Sequence, residues 1–465
     1  MFETNAYHKD TDPQFNILVI TDNIDASRSL NESFERRGQK LHFSTYNGLA
    51  LTDGFDDIRP DGILILLTDY IEHSENILTI LDEKLSHISI PKLGVLFRHS
   101  RDNEDTLFDS VIYAPTHPEQ IAQRMTSVLR LQRIEREIDD RILTYREDFG
   151  ITCDYNLKDV DRPFNILFFG KASPSFLSMI NALQGDVVNI TGAFSSFSAF
   201  SYLHEKTYNA IVINASEDIQ SALTVIKTMR RNSRLYNIPV ILLVKNIPTD
   251  KKAIYNQGVH DLILVDASDY ELRGRIIEAA KFHRLHQFMQ NTIKRLKFDV
   301  CLDPPTGLFN KAFFVKHLKR VVDYSKANQS ELSLVLLQIQ PNSVHDVDPL
   351  NILKAENQIG SMLTSLTRSQ DIAARIDNNR FAILFPEQNV NLLDSVIARI
   401  YGIIDCTAFE SGNTNEPSPF TMSVEAIKVP LMHHETAEQF LQTALSELVG
   451  DVYVSNPIYK LDAAS

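Results

Sequence analysis

The chain has 465 residues, of which 43% are apolar and 23% charged, a composition ordinary for a soluble globular protein of roughly three domains. Its formal net charge of −14 argues against an extended nucleic-acid surface, because phosphate binding requires clustered lysine and arginine. The three cysteines form no metal-ligand spacing, and no apolar run is long enough for a signal peptide or a membrane span. We therefore expect a cytoplasmic protein with no membrane insertion, metal, cofactor or nucleic-acid partner.

The first two-thirds of the chain repeats a set of landmarks in the same order. FNILVI begins at Phe15 and FNILFF at Phe164, while PDGILILL at Pro60 is matched by YNAIVINA at Tyr208. Short, continuous apolar runs alternate with segments of helical period, a pattern typical of parallel strands with helices on both faces of the sheet. The repeat therefore predicts a duplicated, doubly wound α/β domain.

A charged stretch of helical period follows each copy of the repeat. The first covers residues 129–148 and the second covers residues 272–297. Each is either a surface helix packed on its own domain, or a dimer stalk or spacer between domains, because the apolar stripe continues past the expected end of the domain. With these helices included, the α/β domains are expected at 1–150 and 151–297, and a third domain at 298–465.

The order of landmarks in each repeat resembles that of response-regulator receiver domains, which have a flavodoxin-like fold. The resemblance implies a phosphorylated aspartate at the end of the third strand, and the two positions are occupied by Leu66 and Asn214. Leucine cannot accept a phosphoryl group, and asparagine lacks the nucleophilic carboxylate. Neither copy keeps the full set of metal-binding acids. Both domains are therefore expected to be degenerate receivers that serve as scaffolds and interaction surfaces.

The third region combines strands, helices and a central hairpin, as in an α+β domain. The stretch DPPTGLFNKAFF, from Asp303, resembles the opening of GGDEF domains, the cyclases that join two GTP molecules into cyclic di-GMP. The stretch RSQDIAARIDNNRFAILFP, from Arg368, aligns without gaps with the family pattern RxxDxxxRYGGDEFAxLLP. The resemblance implies a nucleotidyl-cyclase-like fold for this domain. Two receivers followed by a GGDEF domain form the architecture of PleD-type cyclases.

The residues at the family's catalytic positions depart from its pattern. The turn reads Asp377, Asn378, Asn379 and Arg380, so the glycines that let GTP approach are lost and a cation stands at an acidic position. Gln338 stands where the family has a metal-binding aspartate, and a neutral amide does not compensate Mg²⁺ as a carboxylate does. We therefore expect that the protein is not an enzyme. Asp and Asn still permit the hairpin turn itself.

A second site of the family is retained in the sequence. By resemblance, Arg368 and Asp371 correspond to the inhibitory RxxD site that binds cyclic di-GMP, and Arg399 to a supporting arginine on the following helix. Arginine suits the O6 and N7 edge of guanine, and aspartate accepts hydrogen bonds from guanine N1 and N2. In the alternative interpretation, Arg368 and Asp371 are solvated residues that cap the end of a helix.

Degenerate receivers, a degenerate cyclase domain and a retained inhibitory site together resemble PopA-like cyclic di-GMP effectors. The resemblance implies an adaptor in bacterial cell-cycle control that couples ligand level to partner recruitment and delivers proteins to a ClpXP-type protease at a cell pole. A homodimer is a further expectation. Three alternatives stay open: a scaffold that acts without ligand, a weakly active or heterodimer-dependent diguanylate cyclase, and a protein that senses GTP in the cyclase site.

Overall fold

The computed structural model divides into two compact units. The α/β unit comprises Gln14–Gln132 and Asn156–Met289, and the C-terminal unit comprises Arg133–Tyr155 and Gln290–Ser465. The structure describes residues 15–21, 27–45, 58–67, 74–96, 107–153, 162–342, 349–409 and 419–449. The domain boundaries expected at residues 150 and 297 stay predictions.

The first domain of the α/β unit is a five-stranded parallel sheet with helices. Its elements are β1 (Phe15–Ile20), α1 (Ser27–Glu35), β2 (Gln39–Ser44), β3 (Gly62–Leu67), α2 (Ser74–Leu85), β4 (Lys92–Leu96), β5 (Ser110–Tyr113) and α3 (Pro118–Phe149). The strand order is β2-β1-β3-β4-β5. Every residue of β3 is buried, because GILILL presents apolar side chains to both packed faces of the sheet. The core therefore lies on both sides of the sheet, in two separate apolar clusters.

The second domain of the α/β unit repeats this topology. Its elements are β6 (Phe164–Phe169), α4 (Pro174–Ala182), β7 (Val188–Ala193), α5 (Ser196–Glu205), β8 (Ala210–Asn214), α6 (Ile219–Arg230), β9 (Val240–Val244), α7 (Lys251–Tyr255), β10 (Asp261–Leu264) and α8 (Asp269–Arg295). The order β10-β9-β8-β6-β7 is the order 2-1-3-4-5 within each domain, which belongs to the flavodoxin-like class. The prediction of parallel-sheet α/β domains is confirmed, while their receiver identity stays a prediction.

The C-terminal unit contains an antiparallel sheet covered by helices. Its elements are α9 (Lys311–Asn328), β11 (Leu332–Pro341), α10 (Pro349–Leu366), β12 (Ile372–Arg375), β13 (Arg380–Pro386), α11 (Asp394–Asp405), β14 (Met422–Pro430) and α12 (Ala437–Val449). The four strands follow the order β12-β13-β11-β14. The long apolar strand β11 lies inside the sheet, paired antiparallel on one side with β13 and on the other with β14. The predicted hairpin is formed by β12 and β13.

The second half of α3 belongs to the core of the C-terminal unit. Tyr145 of α3 is fully buried, and its hydroxyl donates to the carbonyl of Leu296 at 2.7 Å. Its ring lies edge-on to Phe298 and packs against Phe313 of α9. This part of the helix predicted over 129–148 is therefore packed inside the unit, unlike a free stalk. No helix among the described residues combines the length and apolar character that a membrane crossing requires.

Candidate functional site

The RSQD stretch forms a closed turn between α10 and β12. The carboxylate of Asp371 accepts a hydrogen bond from the backbone N–H of Arg368 at 2.7 Å, and the N–H of Asp371 donates to the carbonyl of Arg368 at 3.1 Å. Short polar side chains stabilise turns by such bonds to nearby backbone groups. Asp371 is buried, with 7% of its surface exposed. The turn is thus closed by hydrogen bonds of its own residues, and its aspartate is buried.

The carboxyl group of Asp371 has a perturbed protonation equilibrium. Burial raises the pKa of Asp371 to about 6, because removal from water disfavours the charged form. The charge and the backbone N–H of Arg368 act in the opposite direction, and Glu137 adds to the increase. Asp371 is therefore mostly ionised at pH 7, but titrates close to neutrality.

Two arginines and a glutamine surround this turn. Arg368 donates from Nη1 to Oε1 of Gln388 at 3.4 Å, and Arg399 donates from Nη2 to the carbonyl of Leu366 at 3.5 Å. The structure therefore brings Arg368 and Asp371 into direct contact, and Arg399 contacts Leu366, two residues before Arg368. The side-chain nitrogen of Gln388 is buried and has no hydrogen-bond partner among the described residues. Such an orphaned donor is costly unless another group satisfies it.

The RSQD turn is also contacted by the ends of the two long helices. Arg141 of α3 donates from Nη2 to the carbonyl of Ser369 at 3.3 Å, and from Nη1 to the carbonyl of Ile293 of α8 at 3.3 Å. The hydroxyl of Ser369 donates to Oε1 of Gln290, also on α8, at 2.6 Å. A displacement of the turn would therefore change hydrogen bonds that both helices make with it.

A buried charged network supports α3 next to the turn. Arg141 pairs with Glu137 on the same helix, and His317 Nε2 of α9 lies 3.4 Å from the Glu137 carboxylate. Thr144 gives its hydroxyl proton to the carbonyl of Asp140 at 2.8 Å, so His317 Nδ1–H donates to Thr144 Oγ1 at 2.9 Å. Burial acts to raise the pKa of Glu137, but Arg141 and His317 outweigh it and hold the pKa below its usual value.

A pocket opens beside the turn, on the side of α3. Gln370 of the turn lines it together with Arg133, Arg136 and Glu387. Both arginines form ion pairs with Glu387, and Arg136 also lies over the ring of Tyr324, 4.4 Å from its centroid. Glu387 adopts a left-handed backbone conformation with φ of 53°. A non-glycine residue is strained there, so the arginine pairs hold it in place.

The hairpin turn at the catalytic position of the family is held by arginines. Arg380 pairs with Asp377 at 2.6 Å across the turn. Gln338 of β11 lies directly opposite Arg380 on the neighbouring strand. The amide N–H of Ile339 donates to the carbonyl of Asn379 at 2.8 Å, which ties the turn to β11. The structure thus brings together Gln338 and Arg380, the two residues singled out in the sequence.

Carboxylates are also present at this end of the sheet. Arg375 donates to Asp303 at 3.2 Å and to Glu356 at 3.1 Å, and its other nitrogens contact the carbonyls of Asp377 and Asn378. Among the described residues, no group of three or more acidic, histidine or cysteine side chains is arranged to hold a metal ion. Asp303 and Glu356 are therefore compensated by a guanidinium in this structure.

Leu66 and Asn214, which the sequence analysis aligned with the phosphorylated aspartate of receiver domains, lie on the third strand of each α/β domain. Leu66 is buried in β3. Asn214 ends β8, donates to the hydroxyl of Ser173 at 3.0 Å and accepts from the hydroxyl of Ser216 at 2.7 Å. Their role as former acceptor positions stays a prediction.

Comparison with known families identifies the C-terminal domain. The family model described as diguanylate cyclase, GGDEF domain, matches residues 356–449. This stretch is a GGDEF domain. The presence of a GGDEF domain gives the protein a function related to cyclic di-GMP.

Solved structures of GGDEF domains are similar to about a third of the chain. The GGDEF domain of DgcB from Caulobacter crescentus, in complex with c-di-GMP, is 18% identical with a TM-score of 0.29, covering 33% of this chain and 90% of that chain. The FimX GGDEF domain from Pseudomonas aeruginosa is 17% identical with a TM-score of 0.27, and the match covers 32% of this chain and 94% of that chain. Diguanylate cyclase SiaD from Pseudomonas aeruginosa, in complex with its activator SiaC, is 22% identical with a TM-score of 0.30, and the match covers 38% of this chain and 67% of that chain. No curated protein sequence matches the chain significantly.

The expectation that the protein is not an enzyme is wrong, because the matched family is that of the diguanylate cyclases. That expectation rested on the aligned positions alone, namely the lost glycines of the turn, Arg380 and Gln338. The strand and turn that carry these positions are formed, and carboxylates of Asp377, Asp303 and Glu356 lie around the same end of the sheet. Substitution at the aligned positions does not remove the surrounding acidic groups.

Several residues at this site carried no recognisable signal in the sequence. Gln388 and Glu387 follow directly after the last residue of the family pattern, Pro386. Arg141 lies in a charged helical stretch, where its spacing resembles any solvated face. Only the three-dimensional packing shows that it reaches Ser369.

Proposed function

We propose that the protein binds cyclic di-GMP at the RSQD turn, through Arg368, Asp371 and Arg399. The observation that carries the proposal is the closed turn itself, in which the Arg368–Asp371 pair adjoins the orphaned side-chain nitrogen of Gln388. This arrangement lies within the GGDEF domain, whose chemistry concerns cyclic di-GMP. The donors and acceptors needed for a guanine base are therefore present in one place.

Each side chain has a distinct chemical task in this proposal. The guanidinium of Arg368 binds the O6 and N7 edge of a guanine, and ionised Asp371 accepts hydrogen bonds from its N1 and N2. Exposed Arg399 compensates a phosphate of the ligand, whose negative charge the acidic chain would otherwise repel. Burial of the carboxylate makes its interactions stronger than they would be in water.

The ligand would be coupled to the rest of the protein through α3 and α8. Both helices contact Ser369, the second residue of the turn, and both continue from the α/β domains. A ligand shifts an equilibrium only if it binds one arrangement more tightly than another. Binding that alters the Ser369 contacts would favour a different position of these helices. Partner recruitment by the α/β domains, including delivery to a ClpXP-type protease at a cell pole, is the further step implied by the effector resemblance.

Calorimetric titration of cyclic di-GMP tests this proposal. We expect saturable binding to the wild-type chain and at least a tenfold loss of affinity in Arg368→Ala, because a charged partner of the base is removed. Arg295→Ala is the matched control, since Arg295 is an exposed arginine at the end of α8, and its affinity should equal that of the wild type. Absence of binding to the wild type would contradict the proposal and favour a scaffold that acts without ligand.

Diguanylate cyclase activity is the second candidate function. The match to the cyclase family favours it, and the carboxylates around Arg375 are potential ligands for Mg²⁺. The same preparations incubated with GTP and Mg²⁺ would yield cyclic di-GMP, measured by chromatography. Product formed by the wild type and lost in Glu356→Gln would establish catalysis at this end of the sheet. Ligand binding without product would leave the RSQD turn as the functional site.

A further inference from the structure

The second α/β domain ends in an open strand edge. Among the described residues, β7 pairs with β6 alone, so its outer backbone groups face away from the sheet. The strand reads VNITGA and contains no proline, lysine or acidic residue, the devices that natural proteins use to block edge pairing. The equivalent edge strand of the first domain, β2, carries Lys40 and His42. The two copies of the repeat therefore differ at this edge.

Large apolar side chains are exposed next to β7 in sequence and on the helices before and after it, α4 and α5. The exposed ones are Leu177 (62%), Ile180 (37%), Val187 (66%), Phe194 (52%) and Phe197 (86%). The ring of Phe194 meets that of Phe176 of α4 edge-on at 5.6 Å, and both rings cover Gly192 of β7. The apolar side chains of α4 therefore continue onto the strand edge, so the patch has a connected centre.

The size and charge of this patch fit a second copy of the chain. With about 200 Å² for each large apolar side chain, the exposed fractions amount to roughly 600 Å². A standard protein–protein interface uses about 800 Å² on each partner, so the patch and the strand backbone together approach that size. Asp186, two residues before β7, is already paired with Arg273 at 2.8 Å. Two chains of net charge −14 can approach each other at such a neutral edge without local repulsion.

We propose that two copies of the chain associate through β7. Identical strands can pair antiparallel about a two-fold axis perpendicular to the sheet, which makes the contact isologous and closed. The two five-stranded sheets then form one sheet of ten strands. The same axis places α4 beside α4 on one face of the sheet and α5 beside α5 on the other, so Leu177, Ile180, Phe194 and Phe197 of both copies become buried. This association does not depend on the ligand proposed above.

Sedimentation velocity of the full chain over a concentration series tests the proposal. We expect a reversible dimer of the wild type, with a dissociation constant raised at least tenfold in Leu177→Glu/Phe197→Glu, because four charges are then placed in the contact. Both side chains are mostly exposed, so the fold is kept, as circular dichroism can verify. The control Ile247→Glu/Met432→Glu changes exposed apolar residues elsewhere and should dimerise like the wild type.

Hydrogen exchange locates the contact independently. The outward amides of β7 should exchange more slowly at high concentration, and this protection should vanish on dilution or in Leu177→Glu/Phe197→Glu. Added salt should leave the dimer intact, because the contact is apolar. A wild-type chain that stays monomeric at high micromolar concentration overturns the proposal. So does a dimer that the Leu177→Glu/Phe197→Glu variant leaves unchanged.

Discussion

The carboxylate of Asp371 accepts a hydrogen bond from the backbone N–H of Arg368 at 2.7 Å. The aspartate that closes the RSQD turn is therefore also the residue proposed to bind a guanine base. Structural and binding roles are therefore combined in one side chain. The two roles need different properties of the group. The turn needs an acceptor oxygen, whereas recognition of guanine N1 and N2 is strengthened by a negative charge.

Substitution of Asp371 separates these roles. Asp371→Asn keeps an acceptor oxygen, so the turn should form, while affinity for cyclic di-GMP should fall about tenfold or more because the charge is lost. Asp371→Ala should also destabilise the protein by about 1–3 kcal/mol, because the backbone N–H of Arg368 is left unsatisfied. Urea unfolding and calorimetry measure the two effects. Wild-type affinity in Asp371→Asn would show that the carboxylate does not contact the ligand.

The raised pKa of Asp371 predicts a pH dependence of stability. The folded pKa of about 6 lies above that of an unfolded aspartate, so the folded state binds the proton more tightly. This contribution to stability is present at low pH and is lost as pH rises through 6. Between pH 5 and pH 7 it amounts to about 1 kcal/mol.

The pH prediction is checked by unfolding wild type and Asp371→Asn in urea at both pH values. The variant does not titrate at this position, so its stability relative to the wild type should rise by about 1 kcal/mol from pH 5 to pH 7. A constant difference would place the pKa of Asp371 outside this interval. Affinity for cyclic di-GMP should increase as Asp371 ionises, and it should therefore weaken below pH 6.

The sequence predicted the parts of the fold that periodicity and turn chemistry determine. The continuous apolar runs GILILL and VILLV, at β3 and β9, are buried parallel strands, as expected for a sheet covered on both faces. The β12–β13 hairpin forms where Asp377 and the two asparagines interrupt the apolar alternation. These are local signals, read within about ten residues.

The support of the candidate site could not be predicted in the same way. Arg141 and Ser369 lie 228 residues apart in sequence, and the charge pattern of α3 resembles that of an exposed helix. The burial that raises the pKa of Asp371 depends on packing between distant segments. The expectation about catalysis failed for a related reason, since it considered aligned positions one at a time and not the acids around Arg375.

Removal of Arg141 tests the contact between α3 and the turn. Arg141→Ala leaves Glu137 buried beside His317 without its main partner, so we expect a loss of about 3 kcal/mol or more in unfolding free energy. Arg146→Ala, an exposed arginine of the same helix, should change stability by less than about 0.5 kcal/mol. Because Arg141 also contacts the carbonyl of Ser369, cyclic di-GMP affinity should change in the first variant only. Equal stability of the two variants would contradict the buried network.

Glycines in two neighbouring helices should respond oppositely to alanine. A Cβ atom at Gly360 of α10 would lie 2.0 Å from the carbonyl oxygen of Thr306, which belongs to the tight turn before α9 and cannot move away as a side chain could. Gly360→Ala should therefore destabilise the C-terminal unit by about 1–3 kcal/mol. Gly402 of α11 has no neighbouring atom within 4 Å of the same position, and Gly402→Ala should stabilise its helix by about 0.5–1 kcal/mol. Urea unfolding of both variants gives the comparison, and a neutral Gly360→Ala would mean that α10 does not pack against this turn in solution.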